Sequence, residues 1–206
     1  MSVLVVGAGG HAKVVIATLQ TAGRAVAGCL DDRPEAEGAS VLGVPVVGPT
    51  SRLAEHAGEA VLAIGANAVR QRLAAAHPEA RWATVVHPSA VVHESVRLGP
   101  GTVVFAGAVL QPDVAVGAHA IVNTGATVDH DGRLGDFVHV APGCHLSGGV
   151  TLGEGAFLGV GAACLPGVTV GAWATVGGGG VVVHDLPPNV TAVGVPARVL
   201  SRPLRG

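Results

Sequence analysis

The 206-residue sequence predicts an α/β domain followed by a repetitive parallel β structure. Two observations carry this prediction. Over about residues 1–80, short β-branched runs alternate with longer helical stretches, the pattern of a parallel sheet flanked by helices. From about residue 84 the helical pattern stops and a six-residue period replaces it. Composition agrees with the second half: 32 glycines, three phenylalanines and no tyrosine leave a core of small and branched side chains.

In chain order, VLVVGAGG (3–10) reads as a strand entering a glycine turn, and residues 11–23 suit a helix. AVAGCLDD (25–32) reads as a second strand ending in acids, and AVLAIGAN (60–67) as a third. Gly7, Gly9 and Ala12 fit G-x-G-x-x-[GA] between strand and helix, with Asp31 nineteen residues beyond Ala12. Glycines there let backbone approach a phosphate, and the helix N-terminus favours the anion. Only about 80 residues precede the repeats, enough for one mononucleotide-binding half of a Rossmann-like domain and not for the two halves that grip NAD. The turn either binds a nucleotide or is a retained scaffold element.

Taking every sixth residue from Val86 to Val176 gives sixteen positions, of which fifteen are Val or Leu and one is Cys164. Four residues after each stands a small residue, from Ala90 to Gly180. A generic Gly/Ala/Val-rich sandwich has no reason to hold one phase for sixteen units.

Other classes are excluded by composition. No run of about 20 apolar residues exists, so no membrane span is expected, and the N-terminus lacks a basic leader with a cleavage site. A cytoplasmic protein is expected. Net charge −2 without a basic cluster leaves no footprint for nucleic acid. Cys29, Cys144 and Cys164 form no C-x-x-C pair and read as buried thiols.

The ladder resembles the hexapeptide repeat of the left-handed parallel β-helix. There the branched residue fills the interior, the small one permits the corner, three hexapeptides make one coil, and residues eighteen apart stack. The tail VVHDLPPNVTAVGVPARVL (182–200) strengthens that likeness, with Asp-Leu-Pro followed by G-x-P-A-[KR]. Together with GAGGHAKVV (7–15), LDD (30–32), AIGAN (63–67), VDHD (128–131) and GDFVHVAPG (135–143), these features resemble the NeuD/PglD-type sugar acyltransferases. That group joins a Rossmann-like domain, here 1–80, to a β-helix, here 81–206. It includes sialic acid O-acetyltransferases and N-acetyltransferases of nucleotide-linked 4-amino sugars. The resemblance implies acetyl-CoA as co-substrate, no metal, a homotrimer with its active site between neighbouring β-helices, and a nucleotide-linked or free sugar as acceptor.

In the repeat phase Val128 points inward and Gly132 takes the corner, leaving Asp129, His130 and Asp131 outside. A flanking carboxylate can hold one imidazole nitrogen as N–H and leave the other to accept a proton near neutral pH. Eighteen residues on stands Gly148, whose missing side chain leaves space for a thioester and exposes an N–H for its oxyanion. The family's H-[DE] corner implies His130 as general base and Asp131 as its orienting group. Asp129 is either a second orienting group or a turn residue. The resemblance places His139 and Arg198 near coenzyme A. It places Gly7, Gly9, Gly10, His11, Asp31, Asp32 and Asn67 around a uridine nucleotide. Cys144 and Cys164 are expected to pack, and His87, His93, His119, His145 and His184 to lie on the surface. Two rival activities are O-acetylation of a sialic acid and a metal-dependent hydratase of the carbonic anhydrase type. The latter would need His130, His139 and His145, nine and six residues apart, to meet across subunits.

Overall fold

The computed structural model describes residues 2–201; residues 202–206, read as the end of the second domain, lie outside it. The first unit is a sheet ordered β3-β4-β2-β1-β5-β6, made of β1 (Val3–Val6), β2 (Val26–Leu30), β3 (Ser40–Val41), β4 (Val44–Gly48), β5 (Glu59–Leu62) and β6 (Arg81–Trp82). All neighbours pair in parallel except the short β3–β4 hairpin. Strand β1 is fully buried, as a central parallel strand should be. The helices α1 (Gly10–Thr21) and α2 (Asn67–Ala76) begin where the predicted glycine turn and the third strand end. The sheet runs on through Trp82, and the first coil strand, Val85–Val86, follows directly.

From Val85 the chain winds into two-residue strands on three faces. The first face is eight-stranded and starts at Val85–Val86, the second is six-stranded and starts at Val91–Val92, and the third is five-stranded and starts at Arg97–Leu98. Each strand pairs in parallel with the one eighteen residues on: Val104 with Val122, Leu110 with Val128, Val116 with Leu134. This is the left-handed β-helix that the repeats implied. Val104, Val128, Val140 and Leu158 are all fully buried, as are Ala108, Ala126 and Ala156 at small positions, so the predicted phase is the observed one. The last coil is shorter. Leu186 bridges Val170 and Ala192 pairs with Val176, offsets of sixteen, and the antiparallel strand Arg198–Val199 closes the end.

The two units share a core. Val85, Val103, Phe105 and Ile121, from the first face, pack with Val15, Ile16 and Leu19 of α1 and with β1. An outward face that should meet water is instead buried beneath the α/β unit, which fixes that unit against the β-helix.

A column of glycines, Gly99, Gly117, Gly135, Gly153 and Gly171, follows the last inward residue of the third face. A Cβ at Gly135 would sit 2.7 Å from the Glu154 backbone nitrogen one coil away, and backbone locked into inter-coil hydrogen bonds cannot yield. Gly135→Ala should therefore destabilise the protein by about 1–3 kcal/mol, seen as a lower urea midpoint with an unchanged m-value.

Candidate active site

His130 sits in the turn between the Thr127–Val128 strand of the second face and the Arg133–Leu134 strand of the third. Hydrogen bonding between coils fixes that turn: Asp129 N–H donates to Leu146 C=O and Asp131 N–H to Pro112 C=O. Asp131 is left-handed (φ 59°), a conformation that Asp tolerates better than most residues. Its carboxylate meets His130 Nδ1 at 2.8 Å, and Asp129 Oδ1 accepts the His130 backbone N–H at 2.8 Å. Asp129 thus orients the His130 backbone while Asp131 holds the ring. The ring is exposed, and the Asp131 hydrogen bond raises its pKa above the ordinary histidine value.

Nε2 has no partner among the described residues and faces Gly148. A Cβ on Gly148 would stand 2.5 Å from it, so any side chain there would displace the ring. Gly149 N–H donates to His130 C=O, which sets the two coils in register at this point, while Gly148 N–H donates to no acceptor among the described residues. One corner therefore presents an oriented base packed against a backbone that carries an unused N–H.

The glycine turn forms a second site. A cavity of about 440 Å³ is lined by Gly7, Gly9, Gly10 and His11 on one side and by Asp31 and Asp32 on another. Gly7 is demanded by the fold: φ is 112°, and a Cβ would lie 2.9 Å from Ala63 C=O. Gly9 and Gly10 are not, since a Cβ on either meets nothing within 4 Å. The open space lies at the N-terminus of α1, whose cap has no side-chain hydrogen bond. Asp31 braces the turn by accepting Ala8 N–H at 2.7 Å, and Asp32 holds Thr50 through its N–H and hydroxyl.

The seam between the units overturns the surface reading of His119 and also takes up Asn67 and His139. Asn67 does not line the cavity; its amide donates to Gly155 and Ala156 carbonyls on the β-helix, because α2 lies along the corner between the third and first faces. His139, expected near coenzyme A, is buried beside the glycine turn: Nδ1 pairs with Gly65 C=O, Nε2 with the Asn123 amide, and its ring lies 6.2 Å from that of His11. His119, expected on the surface, is 5% exposed, stacked on Phe137 and edge-on to Trp82. Of the other site residues, Arg198 is exposed on the closing strand, and among the described residues its guanidinium bonds its neighbour's carbonyl alone. Cys144 and Cys164 are buried, burial pushing the Cys144 thiol up and the Cys164 thiol up to about 12, so both pack as expected and neither is a nucleophile at neutral pH.

Sequence reasoning missed Arg70. This 1%-exposed arginine donates to the carbonyls of Ile64 and Gly65 beside the cavity and to those of His119, Phe137 and Val138 on two coils. Nothing in NAVRQRL distinguishes it from a surface helix residue.

Within one chain the two sites lie apart. The cavity belongs to the α/β unit, which packs on the first face beside His139, whereas His130, Asp131 and Gly148 occupy the corner between the second and third faces. His145 lies exposed on the second face, so His130, His139 and His145 do not converge in one chain either. Among the described residues no group of three or more His, Cys, Asp or Glu side chains could hold a metal ion, and no helix is long and apolar enough to cross a membrane.

Residues 2–76 match the PglD N-terminal domain. Over 98% of both chains, the protein is 48% identical to PerB from Caulobacter crescentus, solved with CoA and GDP-perosamine (TM-score 0.93). The chain belongs to the NeuD/PglD-type family of sugar acyltransferases. A second family member, the acetyltransferase domain of PglB from Neisseria gonorrhoeae with acetyl coenzyme A, is 39% identical over 97% of this chain and 98% of its own (TM-score 0.90). WeeI from Acinetobacter baumannii is 27% identical over 97% of this chain and 100% of its own (TM-score 0.88). No curated protein sequence matches the chain. Like these NeuD/PglD-type relatives, the protein is an acyltransferase.

Burial, with the charge of Arg70, holds His11, His119 and His139 down to about 4. They are neutral in the folded state at pH 7. Below about pH 6.5 the unfolded chain takes up protons that the folded chain refuses until about pH 4, so stability present above pH 6.5 is lost as pH falls. Each histidine contributes a slope of about 1.4 kcal/mol per pH unit in that window. Thermal melts from pH 7 to 4.5 should show a falling midpoint, and His119→Phe should flatten the trend.

Proposed function

We propose that the protein transfers the acetyl group of acetyl-CoA to the amine of a nucleotide-linked 4-amino sugar. The observation that carries this reading is the His130 corner, where a base clamped by Asp131 faces a side-chain-free Gly148. In the proposed step, His130 Nε2 takes a proton from the sugar amine as its nitrogen attacks the thioester carbonyl. The Gly148 N–H donates to the oxyanion. Collapse of the tetrahedral intermediate breaks the C–S bond, and the proton on His130 passes to the departing sulfur. No covalent enzyme intermediate is required. Asp131 keeps Nδ1 as the protonated nitrogen and stabilises the imidazolium.

The α/β unit, about 1–80, is proposed to hold the nucleotide and the β-helix, about 81–206, to carry out transfer. Open space at Gly9 and Gly10 supports a diphosphate over the α1 N-terminus, with His11, Asp31 and Asp32 around it. Amine over hydroxyl is supported by the N-acetyltransferase activity named for the Caulobacter relative. The base is uridine by the resemblance read from the sequence and guanosine in that relative's ligand. Arg198, exposed on the closing strand, remains the residue we assign to the coenzyme phosphates. His139 is expected near coenzyme A by the resemblance, while its contact with Gly65 beside the glycine turn supports a role on the acceptor side.

We propose a homotrimer, as the resemblance implies, and the separation of the two sites within one chain supports a site shared between subunits. With the cavity beside the first face and His130 at the corner between the second and third, we assign transfer to the His130 corner of a neighbouring subunit. Three buried, unpaired cysteines suit a reducing compartment, in keeping with a cytoplasmic enzyme.

His130→Ala should lower acetyl transfer by about 10² or more while acetyl-CoA binding, followed by calorimetry, is largely retained. Because the Asp131 hydrogen bond raises the pKa of the base, Asp131→Asn should move the acid limb of the kcat/KM profile to lower pH as well as reducing the rate. The shared site makes a further demand. His130→Ala and Gly9→Glu subunits, each inactive alone, should recover measurable activity when co-expressed, since mixed trimers unite an intact corner with an intact cavity; absence of recovery would assign both sites to one chain.

A further inference from the structure

The cavity at the glycine turn has a continuation that the transfer chemistry does not use. Asp31, Asp32 and Arg33 also line a second cleft of about 360 Å³, whose other walls include Pro34, Glu37 and Pro49. The two clefts meet at these shared residues, so a ligand with its diphosphate at Gly9 and Gly10 would pass Asp31 and Asp32 and end in the second cleft.

The shared edge is a fixed surface. Arg33 lies on Asp31 as a two-pronged pair, Nε to Oδ1 at 2.9 Å and Nη2 to Oδ2 at 3.0 Å, and Asp31 also holds Ala8 N–H of the glycine turn. This clamp orients the planar guanidinium at the cleft, where it can stack on a flat ring. Pro34 and Pro49 add rigid apolar walls. A slot with these walls suits a heteroaromatic base.

Three carboxylates border the cleft, and two are occupied: Asp31 by Ala8 and Arg33, Asp32 by Thr50. Glu37 is exposed and has no hydrogen bond or ion pair through its carboxylate among the described residues. An ionised carboxylate offers only acceptors. Guanine presents two adjacent donors, N1–H and the exocyclic amine, which a carboxylate can satisfy together. Uracil sets a single N–H between two carbonyls, and adenine and cytosine set a ring acceptor beside the amine, so each would turn a lone pair toward Glu37.

We infer that the second cleft takes the nucleobase of the acceptor and that Glu37 selects guanine, making the substrate a GDP-linked sugar. This rests on the nucleotide-sugar reading above. It differs from the uridine expected from the sequence.

Calorimetry of the full-length protein with GDP, IDP and UDP tests the assignment, IDP being the guanosine nucleotide without the exocyclic amine. The wild type should bind GDP about tenfold or more tighter than IDP or UDP, the scale of one charge-assisted hydrogen bond. Glu37→Gln, a change at an exposed side chain, should bring GDP affinity close to that of IDP. A GDP/IDP ratio near one in the wild type, or one preserved in Glu37→Gln, would overturn the role of Glu37. UDP binding tighter than GDP would overturn guanine and leave the nucleotide-sugar reading standing. If none of the three diphosphates binds, both fall.

Discussion

The parallel hydrogen bonds that tie each residue of the β-helix to the one eighteen further on are the constraint on which the rest of the structure depends. They decide which side chains fill the interior, and they also decide what stands over what on the outside. His130 faces Gly148 because Leu146 C=O accepts Asp129 N–H and His130 C=O accepts Gly149 N–H. The candidate base is therefore positioned by backbone, with a single side chain, Asp131, choosing its tautomer. A rigid scaffold beneath a short turn is an economical way to hold a proton acceptor against a backbone donor.

A second level of order comes from the seam. The register of the β-helix says nothing about where the α/β unit sits; that is fixed by the apolar surface of the first face and by Arg70. A buried guanidinium without a carboxylate partner is costly unless its donors are satisfied, and here five carbonyls from the cavity loop and two coils do so. The same seam buries His119 and His139 and half-buries His11, so polar groups that usually mark a surface serve here as packing between units.

These two levels explain how much could be read from the sequence. The inward phase, the corner positions and the placement of Gly148 opposite His130 were all legible because they are relations between residues six or eighteen apart, and a period preserves such relations. The glycine turn was legible because its constraint is local. His119 was misread and Arg70 overlooked for a common reason: each is taken up by the seam, His119 against Trp82 and Arg70 on coil carbonyls 49 to 68 residues away, in contacts that the repeat does not encode. The shortened last coil was also unforeseen, although Pro187 and Pro188 stand where the period fails.

The column of glycines at the corner between the third and first faces bears on how such a chain can change over time. Each of those residues lies against the backbone of the coil above, so the coils are stacked without slack. Losing one residue within a coil would turn every later side chain by one place, exchanging inside for outside. Length can then vary freely only where the chain leaves the stack, by loops pushed out at corners or by whole coils gained and lost together. The distance from the His130 corner to the closing strand is thus quantised, and a lineage that needs a longer or shorter span between them must move in steps of one coil.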